Sequence, residues 1–437
     1  MNRYKLIVYF LTIINLILSL IIDNILFIAE LNLLYLVIII VLDYNNKRSI
    51  SFLQTWILAF IFIIISEAIL IDQNTDELLK ATQYLIAANT MIILGYFYPN
   101  KHRNISSEST VTKVRMLKLT PYMLYALVVF YVLYSLPGAL LSYSYGRDAA
   151  AADRDVNLLL SGFANALGFI LPSIIAFYHK EIKYRKSIII PLIISLPIFA
   201  ILFIGGTRFP LLFSFGGFLF VSHADNKGRI TLNAKFIGLI LILVISSSIM
   251  GQFRYGGIKS YSFRQSNFNF DERFSRLLAS NMSPEGVVDM TALSMTYFES
   301  HPHTYGKSIA FLTYFWIPRQ IWPDKPTMLG HWLIREYRSG FGAGHSASFG
   351  FVGELYADFG YFSLIFIYFL GILLQRADRF REKQLEHASA YSKIMIGMMF
   401  SYVFFFVRSP VTATINFIGI LIVYYMFRRI LFKKVVV

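Results

Sequence analysis

Apolar residues along this chain come in long unbroken runs and not in strict alternation. Twelve such runs can be laid out, at roughly 4–22, 25–42, 51–71, 82–98, 120–137, 158–178, 188–205, 209–222, 236–251, 353–374, 392–407 and 411–427. Most are about 17–22 residues long, which is what a helix needs to cross a hydrocarbon core of about 30 Å, whereas barrel strands would alternate over about ten residues. The pattern predicts an all-α polytopic membrane protein with about twelve transmembrane helices. One polar stretch interrupts it, the ninety-nine residues from Gln252 to Gly350. The layout expected is therefore nine spans in 1–251, one large loop containing short helices in 252–350, and three spans in 351–437. No small-residue cleavage site follows the first run, so it reads as a retained first span.

Composition agrees with the pattern, at 56% hydrophobic and only 15% charged residues. The formal net charge of +15 changes the picture only through its distribution. With odd-numbered spans running outward, 25 basic residues fall on the inner segments and five, Lys80, Arg147, Arg154, Arg208 and Arg408, on the short outer turns. That asymmetry places both termini in the cytoplasm and the large loop outside, and it accounts for the charge without nucleic acid. The chain has no cysteine, which excludes a disulfide framework, a thiolate metal site and a thiol nucleophile.

The loop concentrates the polar chemistry. It carries His301, His303, His331 and His345, three of the four tryptophans, and ten basic residues that include Arg254 and Arg264. Ser283-Pro284-Glu285-Gly286 predicts a helix start with serine at the cap. The run 309–317 is too short to span and predicts an interfacial or re-entrant helix ended by Pro318. After it, Pro318 to Pro326 form a proline-locked turn that holds Arg319, Trp322 and Lys325 close together. A glycine- and serine-rich segment, Gly340 to Ser348, leads into the tenth span, where Glu354 and Asp358 share one helix face. Two short outer turns, Gly205-Gly206-Thr207-Arg208 and Arg408-Ser409-Pro410, each set one arginine at the outer boundary.

Interfacial arginines beside tryptophans suit an amphipathic anion with a carbohydrate head. The guanidinium fork matches diphosphate oxygens and stays charged, and fixed cations stabilise a leaving group that gains negative charge. A carboxylate or neutral imidazole would take the proton from an attacking hydroxyl. His301-Pro302-His303 is a two-ligand fragment without a clear third ligand, and no paired-carboxylate motif, P-loop or Gly-x-Ser-x-Gly elbow occurs. No metal and no cofactor are expected.

The stretch Trp316 to Pro326, followed by Gly353-Glu354-Leu355-Tyr356-Ala357-Asp358-Phe359-Gly360, resembles the Wzy-type oligosaccharide repeat-unit polymerases of O-antigen and capsule assembly. Gly205 to Arg208 and the Arg319-to-Gly330 spacing are similar to features of the same family. The resemblance implies a GT-C-like glycosyltransferase of the bacterial inner membrane. It would transfer a growing glycan from undecaprenyl diphosphate to the non-reducing end of a new lipid-linked repeat unit, with room for a chain-length regulator as partner. Arg319, Glu354 and His345 are then the expected catalytic groups, with Glu354 expected to matter more than Asp358. Arg208, Arg254, Arg264, Arg408, Trp322, Lys325, His303 and His331 would bind substrate. An O-antigen ligase and a flippase of lipid-linked sugars remain open alternatives.

Overall fold

A computed structural model describes residues 3–71, 73–99, 113–117, 121–145, 158–182, 188–205, 208–224, 230, 234–240, 242, 246, 286–318, 320–337, 347–386 and 390–436. Six helices among them are long and apolar enough to cross a membrane: Tyr4–Ile21, Ile25–Lys47, Phe52–Ile69, Asp76–Tyr96, Tyr122–Tyr145 and Gly350–Glu382. Shorter apolar helices at Ile189–Ile204, Pro210–His223, Ser392–Phe406 and Pro410–Tyr425 fall on four further expected runs, and the Leu158–Phe177 helix falls on another. Most of the run 236–251 lies outside the described residues. The protein is a helical, membrane-embedded, polytopic chain.

One detail departs from an all-α reading. Lys113–Leu117 pairs antiparallel with Phe432–Val436, with Lys113 opposite Val436 and Leu117 opposite Phe432. Each five-residue segment carries two basic residues, and the pairing satisfies backbone groups of both.

The chain forms two compact units, each built from three sequence segments. One is made of Met1–Asn104, Met282–Phe380 and Val403–Ile415, the other of Ile105–Asn281, Arg381–Tyr402 and Asn416–Val437. The division falls inside the long polar stretch, and its second part belongs to the first unit's bundle.

In the first unit, the helices Arg3–Ile21 and Ile25–Lys47 are zipped by buried polar pairs. Asn15 Nδ2 donates to Asn32 Oδ1 at 3.0 Å, Asn32 Nδ2 to Ser19 Oγ at 3.0 Å, and Thr12 shares a 2.7 Å bond with Tyr35. Such bonds replace the hydrophobic drive that lipid removes. Helix Asp76–Tyr96 meets helix Ser363–Glu386 at Gly95 and Gly371: a Cβ on Gly95 would lie 2.1 Å from the Tyr368 carbonyl oxygen, and one on Gly371 2.2 Å from that of Ile92. At one end of this unit sits a buried ionic cluster. Lys47 Nζ lies 3.7 Å from Asp43 and 3.6 Å from Asp378. Asp43 accepts Ser51 Oγ at 2.6 Å and Gln54 Nε2 at 2.8 Å. Asp378 accepts the Tyr96 hydroxyl and, at 3.1 Å, the backbone N–H of Phe52 that opens the next helix. Four helices are thereby tied at one level.

In the second unit, Pro172 lies inside the Leu158–Phe177 helix and has no N–H for the carbonyl four residues earlier. Ser214 Oγ donates to that carbonyl, Gly168 O, at 2.7 Å. A hydroxyl from the Arg208–His223 helix thus repairs the proline defect, as a helix in a hydrocarbon environment requires.

Gly371→Val should lower the thermal unfolding midpoint in detergent, the overpacking costing about 1–3 kcal/mol. An unchanged midpoint contradicts the close helix crossing.

Candidate functional site

At the end of the first unit away from the Asp43–Asp378 cluster, the helices are broken instead of continuous. The tenth expected span is a Gly350–Phe359 helix, a Gly360–Phe362 turn of 3-10 helix and then the Ser363–Glu386 helix. Gly360 sits at φ +58°, where a Cβ would also meet His303 Nε2 at 2.7 Å, so glycine is required there. The break frees carbonyls, and the incoming segment takes them: Thr304 N donates to Ala357 O at 2.9 Å and Tyr305 N to Asp358 O at 3.0 Å. His303 is pressed between the Phe298 ring, stacked at 5.4 Å, and the Tyr356 ring, edge-on at 5.7 Å. Its Nδ1 is buried without a hydrogen-bond partner among the described residues.

Asp358 is fully buried. It accepts the Thr304 hydroxyl and, at 3.2 Å, the Ser308 N–H, so it caps the Lys307–Tyr314 helix. Its Oδ2 has no partner among the described residues. Burial, then the nearby Asp358 carboxylate, push the Tyr314 hydroxyl up from its ordinary value. This is the short helix expected at 309–317, begun two residues earlier and ended at Tyr314. Lys325 Nζ holds its far end, donating to Phe315 O at 3.1 Å and Ile317 O at 2.7 Å. Ile321 N and Trp322 N both donate to Pro318 O at 3.1 Å, closing the turn, and the Trp322 ring lies 5.4 Å from Tyr314. Trp316 is 69% exposed and Ile321 76%, as suits side chains facing an interface.

A second junction lies at the start of the Val287–Ser300 helix. The local serine cap expected at Ser283 lies outside the described residues; the helix begins at Val287, with Gly286 at the cap position and no side-chain bond from it. Its first N–H groups go to a distant acid. Glu67 Oε1 accepts Val288 N at 2.9 Å and Asp289 N at 3.2 Å. The helix is buried against the Asp76–Tyr96 and Gly350–Phe359 helices. Val287 packs on Gly350, whose φ of +67° excludes most other residues. Phe351 N donates to Val407 O at 3.0 Å. The Ser348 hydroxyl donates to Arg408 O, and its oxygen lies 2.9 Å from Ser409 Oγ. Arg408, expected at an outer turn, is thus held at this junction through its backbone.

The expected site residues divide three ways. Glu354, His303, His331, Trp322, Lys325 and Arg408 all belong to the first unit, and Glu354 is half-buried with no hydrogen bond or ion pair among the described residues. His331 lies on the Leu329–Tyr337 helix, which is anchored by buried Leu333 and Ile334. In that helix Gly330 is needed for contact with the chain: a Cβ would stand 2.0 Å from Ala347 O. Arg319, His345, Arg254 and Arg264 lie outside the described residues; Arg208 opens the Arg208–His223 helix, and its side chain lies outside them too. Among the described residues no three His, Asp or Glu side chains converge on a common metal position. Sequence reasoning passed over Glu67, although a single acid inside the apolar run 51–71 was a signal that could have found it.

The family model for O-antigen polysaccharide polymerase Wzy matches residues 4–435. The chain belongs to that family. Two proteins described as O-antigen polymerase, from Salmonella typhimurium (strain LT2) and Salmonella typhi, are each 29% identical to it over 233 residues. The matches cover 52% of this chain and 51% of each relative, so the chain spans about half the length of the curated relatives it matches. No solved structure matches. Membership of the Wzy family connects the membrane helices to polysaccharide biosynthesis.

In this Wzy-family chain, Asp358→Ala should loosen the helix it caps. Hydrogen bonds to a charged group contribute about 1.5–3 kcal/mol, so amide exchange over residues 308–314 should speed up by about tenfold or more. Unchanged exchange there contradicts the capping role.

Proposed function

We propose that the chain is a glycosyltransferase that polymerises lipid-linked repeat units head to tail. The observation that carries this reading is the Wzy-family match along 4–435. In the reaction, a hydroxyl at the non-reducing end of a new repeat unit attacks the anomeric carbon of the growing glycan. The bond from that carbon to the diphosphate breaks, the hydroxyl proton passes to a base on the protein, and undecaprenyl diphosphate leaves. The step needs cations fixed where the diphosphate gains charge and no metal.

Arg408 is our choice for the diphosphate. Its backbone is fastened by Ser348 and the Val407 turn, so its guanidinium is presented from a rigid support. Glu354 is our choice for the base, because its carboxylate is unengaged among the described residues, whereas Asp358 is committed to Thr304 and Ser308. Arg319, Arg208, Arg254 and Arg264 are assigned to diphosphate and glycan, whereas Lys325, bonded to Phe315 O and Ile317 O, is assigned to holding the end of the Lys307–Tyr314 helix. Trp322, His331 and His345 are assigned to the sugars, through ring stacking and hydrogen bonds; the His303 ring is taken up by Phe298 and Tyr356. We also assign twelve spans, both termini to the cytoplasm and the 252–350 loop to the outer side of the bacterial inner membrane, on the strength of the 25-to-5 split of basic residues. A chain-length regulator is a proposed partner.

The test is the surface-glycan ladder. Cells lacking the chain should show core with one repeat unit and no ladder. Bare core with long lipid-linked chains accumulating would instead make it a ligase, and single units trapped on the inner side a flippase. Arg408→Ala and Glu354→Gln, at normal protein levels, should each lower polymer yield by about a hundredfold, the effect of removing one preorganised charge stabiliser or base. A normal ladder from either variant removes that residue from the site.

A further inference from the structure

Beside the crossing of helices Asp76–Tyr96 and Ser363–Glu386 runs a groove of about 420 Å³, lined by Tyr98, Tyr368, Phe369, Ile372, Leu373 and Arg376. All six belong to the first unit. The Tyr98 ring stands edge-on to Tyr368 at 6.4 Å, and Gln375 Nε2 fixes its backbone by donating to Tyr98 O at 3.2 Å. From Tyr368 to Arg376 the groove extends about 12 Å along the helix. Its section is then roughly 35 Å², against about 80–110 Å² for a helix 10–12 Å across. An extended chain fits there, and another helix does not. Phe369 and Leu373 are more than half exposed. Arg376 is exposed too, at one end of the groove, two residues from Asp378 of the buried ionic cluster. Its guanidinium and the hydroxyls of Tyr98 and Tyr368 make no hydrogen bond or ion pair among the described residues. A guanidinium beside a lipid-facing apolar surface must reach water or meet an anion. Its planar fork matches phosphate oxygens, and the two hydroxyls are further donors for a polar head.

We propose that this groove binds one anionic phospholipid, with its phosphate on Arg376 and an acyl chain along Phe369, Ile372 and Leu373. The charges select that occupant: one arginine lines the groove and matches a head with a single negative charge, whereas a diphosphate would leave charge unmatched. The site stands apart from the catalytic reading above, because it lies beside the Asp43–Asp378 cluster and away from Glu354 and Arg408. A lipid seated there would touch both helices of the Gly95–Gly371 crossing.

The test titrates the full chain, purified in detergent, with phosphatidylglycerol or phosphatidylcholine and counts retained lipids by native mass spectrometry. The wild type should hold one phosphatidylglycerol about tenfold more tightly than phosphatidylcholine. Arg376→Gln should weaken phosphatidylglycerol binding about tenfold and change phosphatidylcholine binding by less than about twofold. Arg379→Gln removes the same charge three residues on, outside the groove, and should change either by less than about twofold. No preference for phosphatidylglycerol overturns the proposal, and so does an equal loss in the two glutamine variants, which would mark a diffuse attraction. Displacement of phosphatidylglycerol by an equimolar amount of undecaprenyl phosphate overturns it in favour of a polyprenyl ligand. If Arg376→Gln does not fold, Leu373→Trp fills the groove and leaves the arginine in place: weaker binding of phosphatidylglycerol supports the site, and unchanged binding overturns it.

Discussion

A hydrocarbon interior offers no water to a backbone group that has lost its partner, so each helix end or break within it must be satisfied by the protein itself. The main features of this chain follow from that constraint. Where Pro172 removes a hydrogen bond, Ser214 supplies one to Gly168 O. Where Gly360 interrupts a span, Thr304 and Tyr305 take the freed carbonyls. Where the Val287–Ser300 helix starts without a local cap, Glu67 arrives from another helix. Each repair joins segments distant in sequence and fixes their relative position.

The first unit uses the constraint differently at its two ends. Around Asp43, Lys47 and Asp378 the charges are paired and bonded to hydroxyl, amide and backbone donors, which makes that end a clamp. Phe52, bonded to the clamp, and Glu67, at the other junction, are on the same span, about 22 Å apart at helical rise. At the far end a helix is interrupted, Asp358 Oδ2 has no partner among the described residues, and Trp316 and Ile321 stand exposed. A clamped end and a segmented end fit the proposed polymerase, which would have to hold fixed charges yet admit two lipid-linked substrates.

Much of the fold was legible because its signal is local. Run length and apolarity found the helices from Arg3 through Tyr96, with ends up to six residues off, and the short helix ending near Pro318 was visible in its own sequence. What was hidden depends on partners far away. The long polar stretch read as a loop because its polarity is high, yet Val287–Ser300 is buried by packing on helices whose faces the sequence does not display. The Glu67 bonds reach across 221 residues, and no pattern near Ser283 announces them. Spacing put Glu354 and Asp358 on one helix face, but it could not show that Asp358 finds Thr304 and Ser308. Lys325 read as an anion ligand, and the structure gives it the carbonyls of Phe315 and Ile317.

In the proposed function this chain itself joins repeat units. The most direct measurement is chain growth in liposomes holding only the purified protein and one labelled undecaprenyl-diphosphate-linked repeat unit, with a chelator present. The account predicts products lengthening by whole repeat units, with one undecaprenyl diphosphate released for each linkage formed. Products confined to a single repeat unit, with release at background, would contradict it.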